Sequence, residues 1–176
     1  MKILVLSDSH SGLSFMRYCI DKTHPEHIIH LGDHFDDATA ISELYPHIRL
    51  HRVPGNCDMW AAKETPGMLC YDIDGVRFLM THGHLHGVKS SLDRLIKAAR
   101  EHEAAAALFG HTHEPVCFWD KNLLVLNPGS CRSWSGSVGV IHTQNGKIVH
   151  SKILYQGDLE LCDSKDKEDN RSSPCT

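Results

Sequence analysis

Short apolar runs, each closed by a polar residue, recur along the chain. Ile3-Leu4-Val5-Leu6 is continuous and β-prone, and predicts a strand buried on both faces. Ser11 can cap a helix running to about Asp21, with Leu13, Met16, Tyr18 and Ile20 supplying apolar surface. His27-Ile28-Ile29-His30-Leu31 predicts a second strand. Asp36 or Asp37 can cap a helix through Ala40, Ile41 and Leu44, which should stop near Tyr45, before Pro46. A third strand over 48–53 ends at Pro54-Gly55. The order β-α-β-α-β implies parallel strands joined by helical crossovers.

The second half changes character. Runs 68–73 and 76–81 flank Asp74-Gly75, a hairpin signal. The clearest helix covers about 90–103, with Leu92, Leu95, Ile96 and Ala99 on one stripe. The run 104–109 predicts a strand, although its four alanines also allow the helix to continue. Short strands are expected at 116–119, 123–126, 138–142 and 148–154, with turns at Asp120-Lys121-Asn122 and Asn145-Gly146. From Gly157 the chain turns polar. The reading is one domain over 1–156 and a solvated tail over 157–176.

Composition narrows the class. The chain has 176 residues, 41% hydrophobic and 23% charged, an ordinary globular mixture for one domain. The formal charge of −4 argues against a nucleic-acid binder relying on a broad basic surface. No apolar stretch approaches the ~18 residues of a membrane span. The first apolar run has four residues, short of the roughly 7–15 of a secretory signal, so a cytoplasmic protein is expected. The seven cysteines are scattered without a C-x-x-C pair and read as free thiols. The outlier is histidine, at 15 residues, and metal binding is the first explanation to test.

The metal-competent residues fall at strand ends. Asp8-Ser9-His10 follows the first strand, Gly32-Asp33 the second and Gly55-Asn56-Cys57-Asp58 the third. Thr81-His82-Gly83-His84 and Gly110-His111-Thr112-His113 follow two later ones. Ligands of open α/β sheets gather outside the carboxyl ends of strands. In an extended segment, residues i and i+2 face one way, so Asp8 with His10, and His111 with His113, can converge on one site.

Together, in this order, these motifs resemble the calcineurin-like metallophosphoesterases over about residues 1–155, especially their small bacterial and archaeal phosphodiesterase branch. The resemblance implies an α/β fold: a four-layer α/β/β/α sandwich of two mixed sheets. It implies two divalent metal ions, one held by Asp8, His10, Asp33 and His113, the other by Asp33, Asn56, His82 and His111. Asp33 would bridge them. The implied activity is hydrolysis of a small phosphodiester, by in-line attack of a metal-bridging hydroxide. Two dications about 3.5–4 Å apart can clamp the attacking and leaving oxygens of such a displacement. A mixed nitrogen and oxygen ligand set suits Mn²⁺, the expected activator, with Fe²⁺, Co²⁺, Ni²⁺ and Zn²⁺ as alternatives.

Other positions carry weaker signals. Cys57 stands where much of the family has a histidine that contacts phosphate and protonates the leaving group. A thiol is a poor substitute, and its plainer reading is a small filler. Asp58 is assigned by resemblance to supporting its neighbour, Asn56 is expected to hold the substrate phosphate as well as a metal, and His84 shares the face of His82 and could contact phosphate or donate a proton. Arg132, after the Asn127-Pro128-Gly129-Ser130 loop, could reach a substrate phosphate, the plainer reading being a solvated side chain. Trp60 and Trp134 could wall a pocket for a base or aryl group, but packing is their expected job. His34 and Asp36 adjoin Asp33, whereas His30 and His51 read as solvent-facing or core-edge histidines. Two other functions stay open. One is a phosphomonoesterase. The other is a non-catalytic interaction scaffold on the same fold, like the retromer subunit that resembles this family; scaffolds tend to lose the metal-site histidines that are all present here. The expected partner is a small-molecule phosphodiester, and the family's habit of pairing through surface strands or helices makes a homo-oligomer an expectation.

Overall fold

The computed structural model describes residues 1–160. Two five-stranded sheets pack face to face. The first has the order β10-β9-β1-β2-β3, from β1 (Lys2–Leu6), β2 (His27–His30), β3 (Arg49–Arg52), β9 (Ser137–Gln144) and β10 (Lys147–Tyr155). The second has the order β4-β5-β6-β8-β7, from β4 (Met68–Ile73), β5 (Val76–Thr81), β6 (Ala106–Leu108), β7 (Val116–Asp120) and β8 (Leu123–Asn127). Both sheets are mixed. β1, β2 and β3 run parallel, as do β5, β6 and β8, with antiparallel strands at the flanks.

Alternation along the strands builds the layers. Ile3 and Val5 face the second sheet and join Phe78, Met80, Leu108 and Leu126 in the central core. Leu4 and Leu6 face outward onto α1 (Leu13–Thr23) and α2 (Phe35–Leu44), through Phe15, Met16, Ile20 and Ile41. A third cluster joins Leu79, Ala107 and Val125 to Leu95 and Ala99 of α3 (Asp93–Glu101). The result is the expected α/β/β/α sandwich. Among the described residues, no helix is long and apolar enough to cross a membrane.

Several local expectations shift. Ser11 does not cap α1; it has φ 70°, and the helix starts after Gly12 with no side-chain cap. Neither Asp36 nor Asp37 caps α2. Both lie in its first turn, and the capping position is His34 at φ 75°. The helix over 90–103 contracts to Asp93–Glu101, and β6 takes the alanine run as strand, paired in parallel with β5 and β8. The two glycine turns behave as read: Asp74-Gly75 and Asn145-Gly146 have positive φ at both residues, as type I′ hairpins need. The tail does not begin at Gly157. Residues 156–160 are helical, and Leu159 is fully buried against the α1 layer. The rest of the expected tail, 161–176, lies outside the described residues.

Candidate metal centre

The carboxyl ends of β1, β2 and β3 meet those of β5 and β6 along one rim of the sandwich, and the polar segments that follow these strands converge there. Ligand-capable atoms of Asp8, His10 and His113 lie within 4.8 Å of one another, and so do those of Asp8, Asp33 and His82. His113 Nε2 is 3.1 Å from Asp8 Oδ1. Asp33 reaches both halves: Oδ2 is 3.9 Å from His10 Nε2, and Oδ1 is 3.5 Å from His82 Nε2. His82 Nε2 also lies 3.1 Å from Asn56 Oδ1 and 3.2 Å from His111 Nδ1. All seven residues named from the strand ends are therefore gathered in one cluster.

Local backbone geometry aims them. Asp8, His10, Asp33, His111 and His113 all have φ between 40° and 68°, in the left-handed region. Such conformations cost of order 1–3 kcal/mol each and persist where surrounding structure imposes them. Two glycines make the approach close enough. A Cβ on Gly110 would run into Ser7 Oγ and Asp8 Oδ2, and one on Gly55 into the Asp33 carboxylate and backbone.

Hydrogen bonds orient the donors. Asp8 Oδ2 accepts from Ser7 Oγ at 2.6 Å and from the His111 backbone N–H at 3.0 Å. Asp8 Oδ1 is buried and accepts no hydrogen bond among the described residues. Leaving a buried carboxylate oxygen unsatisfied is costly unless a cation neutralises it. His82 Nδ1 lies 2.7 Å from the Leu31 carbonyl, which can only accept, so Nδ1 carries the hydrogen. In the neutral ring, the Nε2 lone pair then faces Asn56 Oδ1, another acceptor. A backbone carbonyl behind a histidine whose other nitrogen faces further oxygen ligands is the usual support of a metal ligand. The residues present thus fit divalent cations on their own chemistry.

Burial lowers the pKa of His10, against the pull of Asp33 and Asp8. Burial likewise lowers those of His84 and His111, with His82 adding to both. Asp33 is held below the usual carboxylate range. Burial works against this, but the Cys57 N–H bond and the proximity of His82 outweigh it. Neutral imidazoles and ionised carboxylates are the forms that ligate metals.

The remaining named residues separate into roles. Cys57 does not pack away from the site. Its N–H donates to Asp33 Oδ1 at 2.9 Å and its thiol to Asp33 Oδ2 at 3.3 Å. Burial and this bond push the thiol's pKa up. Asp58 touches backbone alone: it accepts from the N–H groups of His34 and Phe35, both at 2.9 Å, and Gly55 at 2.8 Å. It caps α2 from the β3 loop, which accounts for the missing local cap. The His84 ring centroid is 5.4 Å from that of His82, and its Nδ1 is buried without a hydrogen-bond partner among the described residues. Arg132 is exposed, and its guanidinium makes no hydrogen bond or ion pair among the described residues. The loop before it does shape the site, because Ser130 Oγ donates to the Asp8 carbonyl at 2.7 Å. Trp134 packs edge-on against Phe15 and Tyr18, as expected, but Trp60 is 80% exposed.

His30 was not foreseen here. It is fully buried beneath the centre, with Nε2 3.2 Å from Ser9 Oγ, which donates onward to Asp37 at 2.7 Å. The available signal was the parallel β-α-β order, because a strand between two parallel neighbours is covered on both faces. His34 does sit beside the cluster, its ring 5.2 Å from that of His10.

With this geometry in place, comparison with known proteins decides the family. Residues 1–146 match the calcineurin-like phosphoesterase superfamily domain. The chain belongs to that superfamily. It is 34% identical over 136 residues to a probable metallophosphoesterase of Bacillus subtilis, covering 75% of this chain and 76% of that protein. It is 29% identical over 163 residues to a phosphodiesterase of Methanocaldococcus jannaschii, covering 82% of this chain and 94% of that one. A predicted phosphoesterase from Streptococcus pneumoniae superposes with a TM-score of 0.72 at 26% identity, over 89% of this chain and 90% of the other. In this superfamily frame the clustered rim is the place to look for phosphoester chemistry.

Proposed function

We propose that the chain is a dinuclear metal-dependent phosphodiesterase acting on a small phosphodiester. The observation that carries this reading is the unsatisfied, fully buried Oδ1 of Asp8, ringed by the nitrogens of His113 and His82. The residues proposed to hold one ion are Asp8, His10, Asp33 and His113. Those for the other are Asp33, Asn56, His82 and His111, with Asp33 shared. When bound, the pair of divalent ions, Mn²⁺ in our proposal, supplies Lewis acidity and an activated water for in-line displacement at phosphorus.

The chain's own groups do the rest. The Leu31 carbonyl and Ser7 hydroxyl fix His82 and Asp8 in ligating orientation. Asp58 holds the turns that carry Asp33 and Asn56 at their mutual distance. His84, whose ring centroid lies 5.4 Å from that of His82, is our candidate to hydrogen-bond a substrate phosphate. Cys57 offers only a weak thiol donor where proton transfer to a poor leaving group would be needed, which favours diesters with good leaving groups. All seven candidate ligands are present, which supports an enzyme over an interaction scaffold.

The test is metal reconstitution of the purified protein after chelation. Two equivalents of Mn²⁺ per chain and metal-dependent hydrolysis of bis(p-nitrophenyl) phosphate ahead of p-nitrophenyl phosphate are expected. Absence of turnover with Mn²⁺, Fe²⁺, Co²⁺, Ni²⁺ and Zn²⁺ alike would favour the scaffold reading. Faster turnover of the monoester would favour a phosphomonoesterase.

A further inference from the structure

The turn carrying Asn56 and Cys57 runs straight into two apolar side chains that packing does not use. Met59 is 73% exposed and Trp60 80% exposed. They are the two most exposed large hydrophobic side chains among the described residues, and they are adjacent. With Phe35, Asp36 and Cys57 they line a cleft of about 210 Å³. Cys57 belongs to this cleft and also donates its thiol proton to Asp33. The cleft therefore opens beside the candidate metal centre.

The lining is built rather than random. The Lys63 ammonium lies over one face of the Trp60 ring, 4.1 Å from its centroid, and helps to hold the exposed indole. The Arg52 guanidinium, 3.9 Å from the Phe35 centroid, steadies the second aromatic wall. Asp36 adds an exposed carboxylate acceptor to the lining. Asp58 is largely taken up by three backbone N–H groups. An exposed indole, a thioether and one acceptor suit a flat heteroaromatic ring carrying N–H or O–H donors. A plain alkyl arm would leave Asp36 unused. The volume is below the roughly 300–1,000 Å³ of sites that bury a whole ligand, so the cleft suits one arm of a substrate rather than all of it.

We propose that this cleft binds a nucleoside arm of the phosphodiester, its base stacked on Trp60 and its amino or hydroxyl groups donating to Asp36. The inference rests on the phosphodiesterase reading and names the substrate class of that site. Base stacking on an aromatic side chain corresponds to about 5- to 150-fold in affinity.

Two measurements test it. The first uses metal-loaded protein and two diesters with one leaving group, thymidine 5′-(p-nitrophenyl phosphate) and methyl p-nitrophenyl phosphate. The wild type should favour the nucleoside ester in kcat/KM by about tenfold or more. Trp60→Ala should lower that ratio at least about fivefold, chiefly through KM, and Trp60→Phe should keep most of it. An unchanged ratio in Trp60→Ala, or no wild-type preference, would overturn the subsite. The second is equilibrium dialysis of chelator-treated protein against adenosine, which needs neither metal nor turnover. Wild type and Trp60→Phe should retain adenosine and Trp60→Ala should not; equal retention by Trp60→Ala overturns the proposal. Should the metal-loaded protein hydrolyse neither ester, the phosphodiesterase reading fails, and the dialysis alone decides whether the cleft takes a nucleoside.

Discussion

Asp33 stands between the two halves of the cluster, 3.5 Å from His82 Nε2 and 3.9 Å from His10 Nε2. If one carboxylate serves two ions, its loss should be felt by both. Asp33→Ala is expected to leave at most one tightly held metal and to lower turnover by more than the roughly 10–100-fold typical of outer partners. Elemental analysis beside steady-state kinetics checks this; two retained metals with near-normal turnover would remove the shared role. Its neighbour Cys57 is a thiol that donates to Asp33 rather than a thiolate, because burial and that bond raise its pKa. General-acid help is worth about 10²–10⁴-fold and matters least for good leaving groups. Cys57→His should therefore raise monoester hydrolysis relative to diester hydrolysis. An unchanged ratio on a matched pair, with both metals bound, would turn attention to His84 as the proton donor.

At the scale of elements, Asp58 shows how the rim is assembled. It sits after β3, yet it caps α2 and ties the Asp33 turn to the Gly55 turn. Replacing a helix-capping carboxylate costs about 0.5–2 kcal/mol, and here a third N–H is orphaned as well. Asp58→Ala is expected to lose about 2 kcal/mol in urea unfolding and about 10-fold or more in metal affinity, with Asp58→Asn partly rescuing both. That long-range cap also explains which parts of the fold were legible. Strand and helix positions follow from local apolar periodicity, so β1, β2, the Asp74-Gly75 hairpin and the stripe of α3 were readable. The caps of α1 and α2 were not, because Ser11 is bent to φ 70° by the site and α2 is capped from 24 residues away in sequence. The alanine run at β6 had no local preference strong enough to decide; pairing with β5 and β8 did. In the site, the strand-end residues were visible as motifs. Their supports, the Leu31 carbonyl behind His82 and the Ser9–Asp37 pair beside His30, are tertiary and left no pattern in sequence.

The whole molecule buries histidines in two unrelated places, and this should make it acid-sensitive. His30 lies under the metal rim and His51 at the edge between the sheets, where its Nε2 is 3.0 Å from His27 Nδ1. Burial lowers the pKa of His30 from 6.5 to about 4. Burial first, then the adjacent His27 and Arg49, lowers that of His51 to about 4 as well. The paired geometry adds a reason: the short nitrogen–nitrogen contact accommodates one hydrogen, so protonating both rings would set two donors against each other. In the unfolded chain these rings take up protons near pH 6.5, whereas in the folded one they resist until about pH 4. The unfolded state therefore binds more protons across that window, and stability rises with pH through it. The stabilisation is complete above pH 6.5 and is lost as pH falls toward 4. For His30, fully buried, the full loss is about 3 kcal/mol at about 1.4 kcal/mol per pKa unit. Urea unfolding in chelator, which removes the separate acid sensitivity of metal binding, should show a falling midpoint from pH 7 to pH 4.5. The slope should exceed that of a one-proton process. His51→Phe should flatten it, because it removes one titrating ring and the repulsion that protonation would create. A midpoint independent of pH in the wild type, or a slope unaltered by His51→Phe, would show that these rings are already free to protonate in the folded protein.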